Sequence, residues 1–307
     1  MPRLRSKSQI KANIMLWLED ILLRDGFYST VNTGETDIYG RDISLLQLSE
    51  DESFPDNTVY QSAFKYWVHE SGIQPSYSIA APLLVSGVTV DGTFYPKDSA
   101  APGYNATFAH RIDFRNGRIL FNNPIAANSV VQAEFSYKHV AVEFTDRFEN
   151  ELEDYYFQTS YKDNPQQTGV ITYPIKNSVT LPAITIDFRN SEALGYELGS
   201  AVGQQELRGT FHIWTADSAD KDMIEDLILS KTRSVLPGID FNAAPMPLDM
   251  WEDKNPAFTS YEDLAVVGGP YFWHRIYIEE LKQINSSPFQ NIERGRIDFL
   301  IRVYANF

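Results

Sequence analysis

Two turn dipeptides constrain this chain most: Asp91-Gly92 in GVTVDGTFY and Asn116-Gly117 in HRIDFRNGRILF, each between short β-branched and aromatic runs. Both dipeptides accept the positive φ of a type I′ turn, whose twist matches that of paired strands, so each predicts a tight antiparallel hairpin. The segment SVVQAEFSYKHVAVEF, reached through Asn122, Asn123 and Pro124, predicts a third strand pair. Together, residues 71–145 are expected to form a small antiparallel β-domain of roughly five or six strands.

The chain before this segment begins with a helical pattern. Ser6 and Gln9 have the spacing of a capping box, and Ile10, Ile14, Trp17, Leu18 and Ile21 recur on one face until Gly26 stops the helix. Residues 31–55, punctuated by Gly34, Gly40, Asp51 and Pro55, read as irregular chain with one or two short strands, and VYQSAFKYWV fits a strand or a short helix.

After the β-segment, DRFENELEDYYFQTSY reads as an acidic helix, LPAITIDF as a strand and GYELGSAVG as a loop. LRGTFHIWTA follows as a strand in which Leu207, Thr210, His212 and Trp214 alternate with their neighbours. A helix with Ser218 as N-cap, Asp220 and Asp222 near its positive end, and Met223, Ile224, Leu227 and Ile228 as its buried face should end at Pro237 and Gly238. YFWHRIYIEELKQI and RGRIDFLIRVYANF predict a final hairpin turning at Asn285–Pro288. The expected fold class is therefore α+β: an antiparallel sheet flanked by helices, built from residues 1–70 and 146–307, with 71–145 inserted as the β-domain. IDFRN occurs at Ile112 and Ile186, and IDF again at Ile239 and Ile297, but the unequal spacing argues against internal duplication.

Few patterns point to chemistry. A net charge of −15 opposes broad contact with nucleic acid, which needs clustered Lys and Arg; the one basic run, Arg3, Arg5, Lys7 and Lys11, reads as a solvated terminus or as a contact for an acidic neighbour or passing DNA. With no cysteine there are no thiolate nucleophiles, disulfides or cysteine metal sites. His69, His110, His139, His212 and His274 lie far apart and lack metal-ligand spacing. LGYELGSAVG has glycines but no phosphate-loop lysine, no GxSxG elbow occurs, and Glu149, Glu151, Glu153 and Asp154 read as a solvated helix face. No enzymatic activity, cofactor or metal is expected. Neither a signal peptide nor a run of about 20 apolar residues is present, so the expectation is a soluble protein made in the cytoplasm without a membrane span.

Over residues 180–242 the order of a Pro-led strand, a loop containing ELG, an alternating strand, a helix and an Ile-Asp-Phe strand resembles the tail-terminator, or tail-completion, proteins of tailed bacteriophages. HRIDFRNGRILFNNPIAANSVVQAEFSYKHVAV is similar to β-modules common in phage virion proteins; ordinary terminators lack so large an insertion. The resemblance implies a structural virion protein at the head-proximal end of the tail. It would form a homo-oligomeric, hexameric ring that joins the tail tube, and a sheath where there is one, to head-connector and neck proteins, while DNA passes through without specific binding. The GYELG loop (Tyr196, Glu197, Leu198, Gly199) and the Asn116-Gly117 hairpin with Arg111, Arg115 and Arg118 would then be interface residues. Another neck or baseplate component, or a β-module binding glycan or a host surface molecule, is the alternative.

Overall fold

The computed structural model describes residues 6–49, 53–144, 181–195, 202–284 and 292–306. The chain divides into two compact units, a hairpin unit of residues 20–139 and 243–264, and a long-strand unit of residues 1–19, 140–242 and 265–307. The division falls within helix α1 (Ser6–Arg24), which ends just before Gly26, whose φ of 94° suits the residue after a helix.

In the hairpin unit, β1 (Tyr28–Val31) pairs with β9 (Phe135–Lys138). The other strands, β2 (Leu45–Leu48), β3 (Val59–Gln61), β4 (Gly87–Val90), β5 (Thr93–Pro96), β6 (His110–Asp113), β7 (Arg118–Phe121) and β8 (Val131–Gln132), form an antiparallel sheet in the order β5-β4-β8-β2-β3-β7-β6. Its core gathers Trp67, Phe114, Phe135, Ile112, Ile119 and Val131, with the Trp67 and Phe135 rings stacked at 4.5 Å. Asp91 and Gly92 both have positive φ, 50° and 80°, and Val90 pairs with Thr93, so this turn is the expected two-residue hairpin.

The Asn116-Gly117 turn differs from expectation. Asp113 pairs with Arg118, which leaves Phe114–Gly117 as a four-residue loop, and of its residues only Gly117 has positive φ, at 64°. The Asp113 carboxylate accepts from the Asn116 backbone N–H and side-chain amide at 2.9 and 2.8 Å, which holds the wider turn. Segment 62–67 runs against it: Ser62, Tyr66 and Trp67 donate backbone N–H groups to Gly117, Arg115 and Phe114.

The long-strand unit is one six-stranded sheet in the order β10-β11-β12-β15-β14-β13, comprising β10 (Ala141–Phe144), β11 (Ala183–Gly195), β12 (Val202–Thr215), β13 (Val235–Ile239), β14 (Phe272–Gln283) and β15 (Glu293–Asn306). Among the described residues of this sheet, only β10 and β11 run parallel. Register shifts between Phe188 and Asn190 and between Ile278 and Glu280 bend the long strands. One face carries Ile184, Ile186, Phe211, Ile213, Ile297 and Phe299, all buried. Helix α2 (Ser218–Leu229) lays Ile224 and Ile228 on it, and Glu225 enters the space left by Gly295, where an added Cβ would lie 2.3 Å from the carboxylate. At the sheet edge, Asn13 of α1 both donates to and accepts from the Ile239 backbone at 2.9 and 2.6 Å, and Gln9 accepts from the Phe241 N–H at 3.0 Å. These amides stand in for a neighbouring strand at the Ile239 end of the edge.

The helix-flanked α+β expectation is overturned: the fold is mostly β, 38% strand against 16% helix, with curled antiparallel sheets and only three helices among the described residues. SVVQAEFSYKHVAVEF is not one hairpin, because β8 joins β2 and β4, β9 joins β1, and β10 joins β11. Pro237 and Gly238 do not end a helix but lie in β13; at an edge strand proline loses no ladder bond, and the register shift beside Gly238 absorbs the distortion. The N-cap of α2 is Asp217, not Ser218, its carboxylate accepting from the Asp220 N–H at 2.9 Å. Met223, expected in the core, is 56% exposed. The acidic helix expected over 146–161 lies outside the described residues.

Candidate interaction surface

Arg111 points outward from β6, and beside it stands the loop from Leu248 to Lys254, two residues joined by a β-bridge. Within this loop the Asp249 carboxylate accepts from the Trp251 and Asp253 N–H groups at 2.7 and 3.0 Å, and Glu252 adopts a positive φ of 59°. The Phe114 N–H donates to the Glu252 carbonyl at 3.0 Å, which fastens the loop to the β6–β7 hairpin, and Lys97, just after β5, pairs with Asp253. At its tip Met250 is 84% and Trp251 55% exposed, and the Arg111 guanidinium lies over the Trp251 ring at 5.2 Å. Met, Trp and Arg are enriched in protein interfaces, and a held loop loses little entropy when it is buried.

Of the residues expected from sequence, Arg111 lies on this surface. Arg115 and Asn116 are half-buried, Gly117 is buried, and Arg118 lies in β7 opposite Asp113. A Cβ on Gly117 would fall 2.1 Å from the Phe64 carbonyl, so the close approach of the 62–67 segment demands glycine. Tyr196, Glu197, Leu198 and Gly199 lie outside the described residues. Met250 and Trp251 were missed because NAAPMPLDM reads as a Pro-rich loop far along the chain from the hairpin it joins. The signal available was the Asp before two large apolar residues, a spacing too common to single out.

Two further polar clusters are built into the fold. In the hairpin unit, Lys138 donates to Glu70 at 2.7 Å, and the His69 Nε2 lies 3.4 Å from the same carboxylate. Burial, chiefly, lowers the His69 pKa to about 4, so the imidazole is neutral near pH 7. Burial would raise the Glu70 carboxyl, but the charge His69 carries in the acidic range where Glu70 titrates, the Lys138 charge and the lysine hydrogen bond outweigh it and hold the group below the usual range. In the long-strand unit, the sheet face opposite α2 carries Glu206 between Arg208 and Arg302 at 2.7 and 3.1 Å. Further along, Arg294 stacks on Trp214 at 4.6 Å and donates to His212 at 3.0 Å; burial, then Arg294 and Arg296, lower the His212 pKa to about 4. Paired acids and neutral imidazoles of this kind position side chains and fix strand register.

The sequence matches no known family model and no curated protein.

Proposed function

We infer that this chain is a structural assembly subunit that works through protein–protein contacts, without enzymatic activity, and that its assembly is a ring at the head-proximal end of a phage tail. The observation that carries the assembly reading is the Met250–Trp251 tip with Arg111 stacked on it, an apolar anchor held out in solvent by a network of its own. A large, exposed and rigid apolar tip costs solubility and contributes to function only when a partner covers it.

The tail-terminator reading rests on the resemblance over residues 180–242 and on the order strand, strand, helix, strand that runs from Ala183 to Ile239. The helix-flanked fold that this resemblance implies is not the fold of the chain, so the place at the tail end is drawn from that one stretch. Self-association, the tail tube as partner and residence in the virion all belong to the proposal.

The test is the molar mass of the purified protein by light scattering over a concentration series, with negative-stain microscopy of any assembled fraction and co-sedimentation with tail tubes. Closed rings that bind tube ends support the reading. Assemblies that ignore tubes overturn the tail assignment, and a protein that neither self-associates nor binds tubes overturns both parts.

A further inference from the structure

The Met250–Trp251 tip has a twin. Residues 37–41 (DIYGR) and 249–253 (DMWED) are 212 positions apart and share only the aspartate, yet they are built alike. The Asp37 carboxylate accepts from the Tyr39 and Arg41 N–H groups at 2.8 and 2.9 Å, as Asp249 accepts from Trp251 and Asp253. Asp37 donates its N–H to the Arg41 carbonyl and Asp249 to that of Asp253, both at 2.9 Å. The fourth residue has positive φ in each, 77° at Gly40 and 59° at Glu252, and a β-bridge closes each base, Thr36 with Asp42 and Leu248 with Lys254.

The exposed chemistry is duplicated as well. Ile38 and Tyr39 are 91% and 77% exposed, and the Arg41 guanidinium lies over the Tyr39 ring at 5.4 Å, as that of Arg111 lies over Trp251. A hairpin tip needs only the aspartate and the positive-φ residue to hold its shape. Two independent tips that each present an apolar side chain, an aromatic ring and a stacked guanidinium therefore point to recognition.

The same unit holds a recess of about 280 Å³, bordered by Leu83, Leu84, Phe94, Ala133 and the exposed carboxylate of Glu134. It is large enough for one anchoring side chain. Thr33, which also lines it, lies at the base of the loop that carries Ile38 and Tyr39. We propose that the Met250–Trp251 tip of one copy docks in this recess on a second copy, with Arg111 facing Glu134 and the second copy's Ile38–Tyr39 tip closing over the contact. Such a contact is heterologous: it leaves a free recess on the copy that gave its tip and a free tip on the copy that received it, so it propagates from copy to copy and forms a ring where the rotation closes. The acidic surface of the chain, 41 Asp and Glu against 26 Lys and Arg, supplies the carboxylates the guanidiniums require. The proposal rests on the self-assembly part of the functional reading.

The experiment compares self-association of wild type, Met250→Ser/Trp251→Ser, Ile38→Ser/Tyr39→Ser, Glu134→Arg and Arg111→Glu/Glu134→Arg by sedimentation velocity, with thermal unfolding as the folding check. Each tip variant should raise the dissociation constant at least about 30-fold, as loss of an aromatic anchor does. Glu134→Arg should weaken assembly, and the charge-swapped pair should restore it. Assembly unaltered in both tip variants overturns the docking contact and leaves the assembly reading standing, whereas a monomeric wild type overturns the docking contact, and one that also fails to bind tail tubes overturns the assembly reading as well. Tip-dependent binding of neutral or anionic lipid vesicles in place of self-association assigns the tips to a membrane surface and also overturns the proposal.

Discussion

Lys138→Met tests what the buried pair in the hairpin unit contributes. The Glu70 and Lys138 side chains are 4% and 6% exposed and 2.7 Å apart, so removing the ammonium strands a carboxylate that water cannot reach. Breaking a buried pair on one side costs about 3–5 kcal/mol, and protonation of Glu70 in the variant limits the loss to the work of neutralising it. Replacing both partners, Glu70→Gln with Lys138→Met, should return stability to within about 1–2 kcal/mol of wild type, because two neutral groups of similar volume carry no desolvation debt. Two compact units need not unfold together, so the assay must be local. Val68 donates its backbone N–H to Ser136 and His69 donates to Glu70, which makes the 66–70 and 135–138 peptides the reporters for amide exchange by mass spectrometry. Exchange there should accelerate about 10² to 10⁴-fold in the single variant and mostly recover in the double. A single variant that exchanges like wild type, or a double as fast as the single, would refute the electrostatic argument and assign the loss to packing.

Three other outcomes follow from the geometry. His69 and His212 have folded pKa values near 4 and titrate near 6.5 when unfolded, so between these values the unfolded chain binds more protons and stability falls as pH drops. The His69 share amounts to about 3 kcal/mol at most; a urea midpoint that is flat from pH 7 to 4.5, or unchanged in slope by His69→Gln, contradicts it. Gly209→Ala places a Cβ 2.1 Å from the Asp187 carbonyl and 2.4 Å from the Phe299 ring, and should cost about 1–3 kcal/mol or more in thermal unfolding of the long-strand unit. Asp217→Ala removes the α2 cap and should cost about 1 kcal/mol, read as faster exchange in the first turn of that helix, whereas Ser218→Ala should change little.

Signals that act within a few residues were legible in the sequence. The Asp91-Gly92 turn, the first helix and its stop at Gly26, and the pairing of β14 with β15 each depend on neighbours in the chain or on one long alternating pattern. Pairing choice was not legible. Alternation in SVVQAEFSYKHVAVEF marks strands correctly but says nothing about partners, and its three strands join three different sheets. The same limit hid the candidate surface: Arg111 was visible as part of a hairpin, but the loop that carries Trp251 is fastened beside it by contacts far apart in the sequence, such as that of the Glu252 carbonyl with the Phe114 N–H, 138 positions away.

The recurring Ile-Asp-Phe tripeptide shows how local and non-local requirements meet. All four isoleucines, Ile112, Ile186, Ile239 and Ile297, are at most 1% exposed, although they lie in strands of two different sheets. Each aspartate finds a polar partner of a different kind: Asp113 the Asn116 amide, Asp187 the Arg189 guanidinium, Asp240 the Gln9 amide and Asp298 the Thr210 hydroxyl. A duplicated ancestor would have kept the partner with the motif. What repeats instead is the period-two demand of a strand with one apolar face, isoleucine inward and a short acid on the other side, met separately four times. The twin tips at Asp37 and Asp249 follow the same logic in a turn. One aspartate, bonded to backbone N–H groups, suffices to hold the turn, which leaves the side chains of the two outermost residues outside that network.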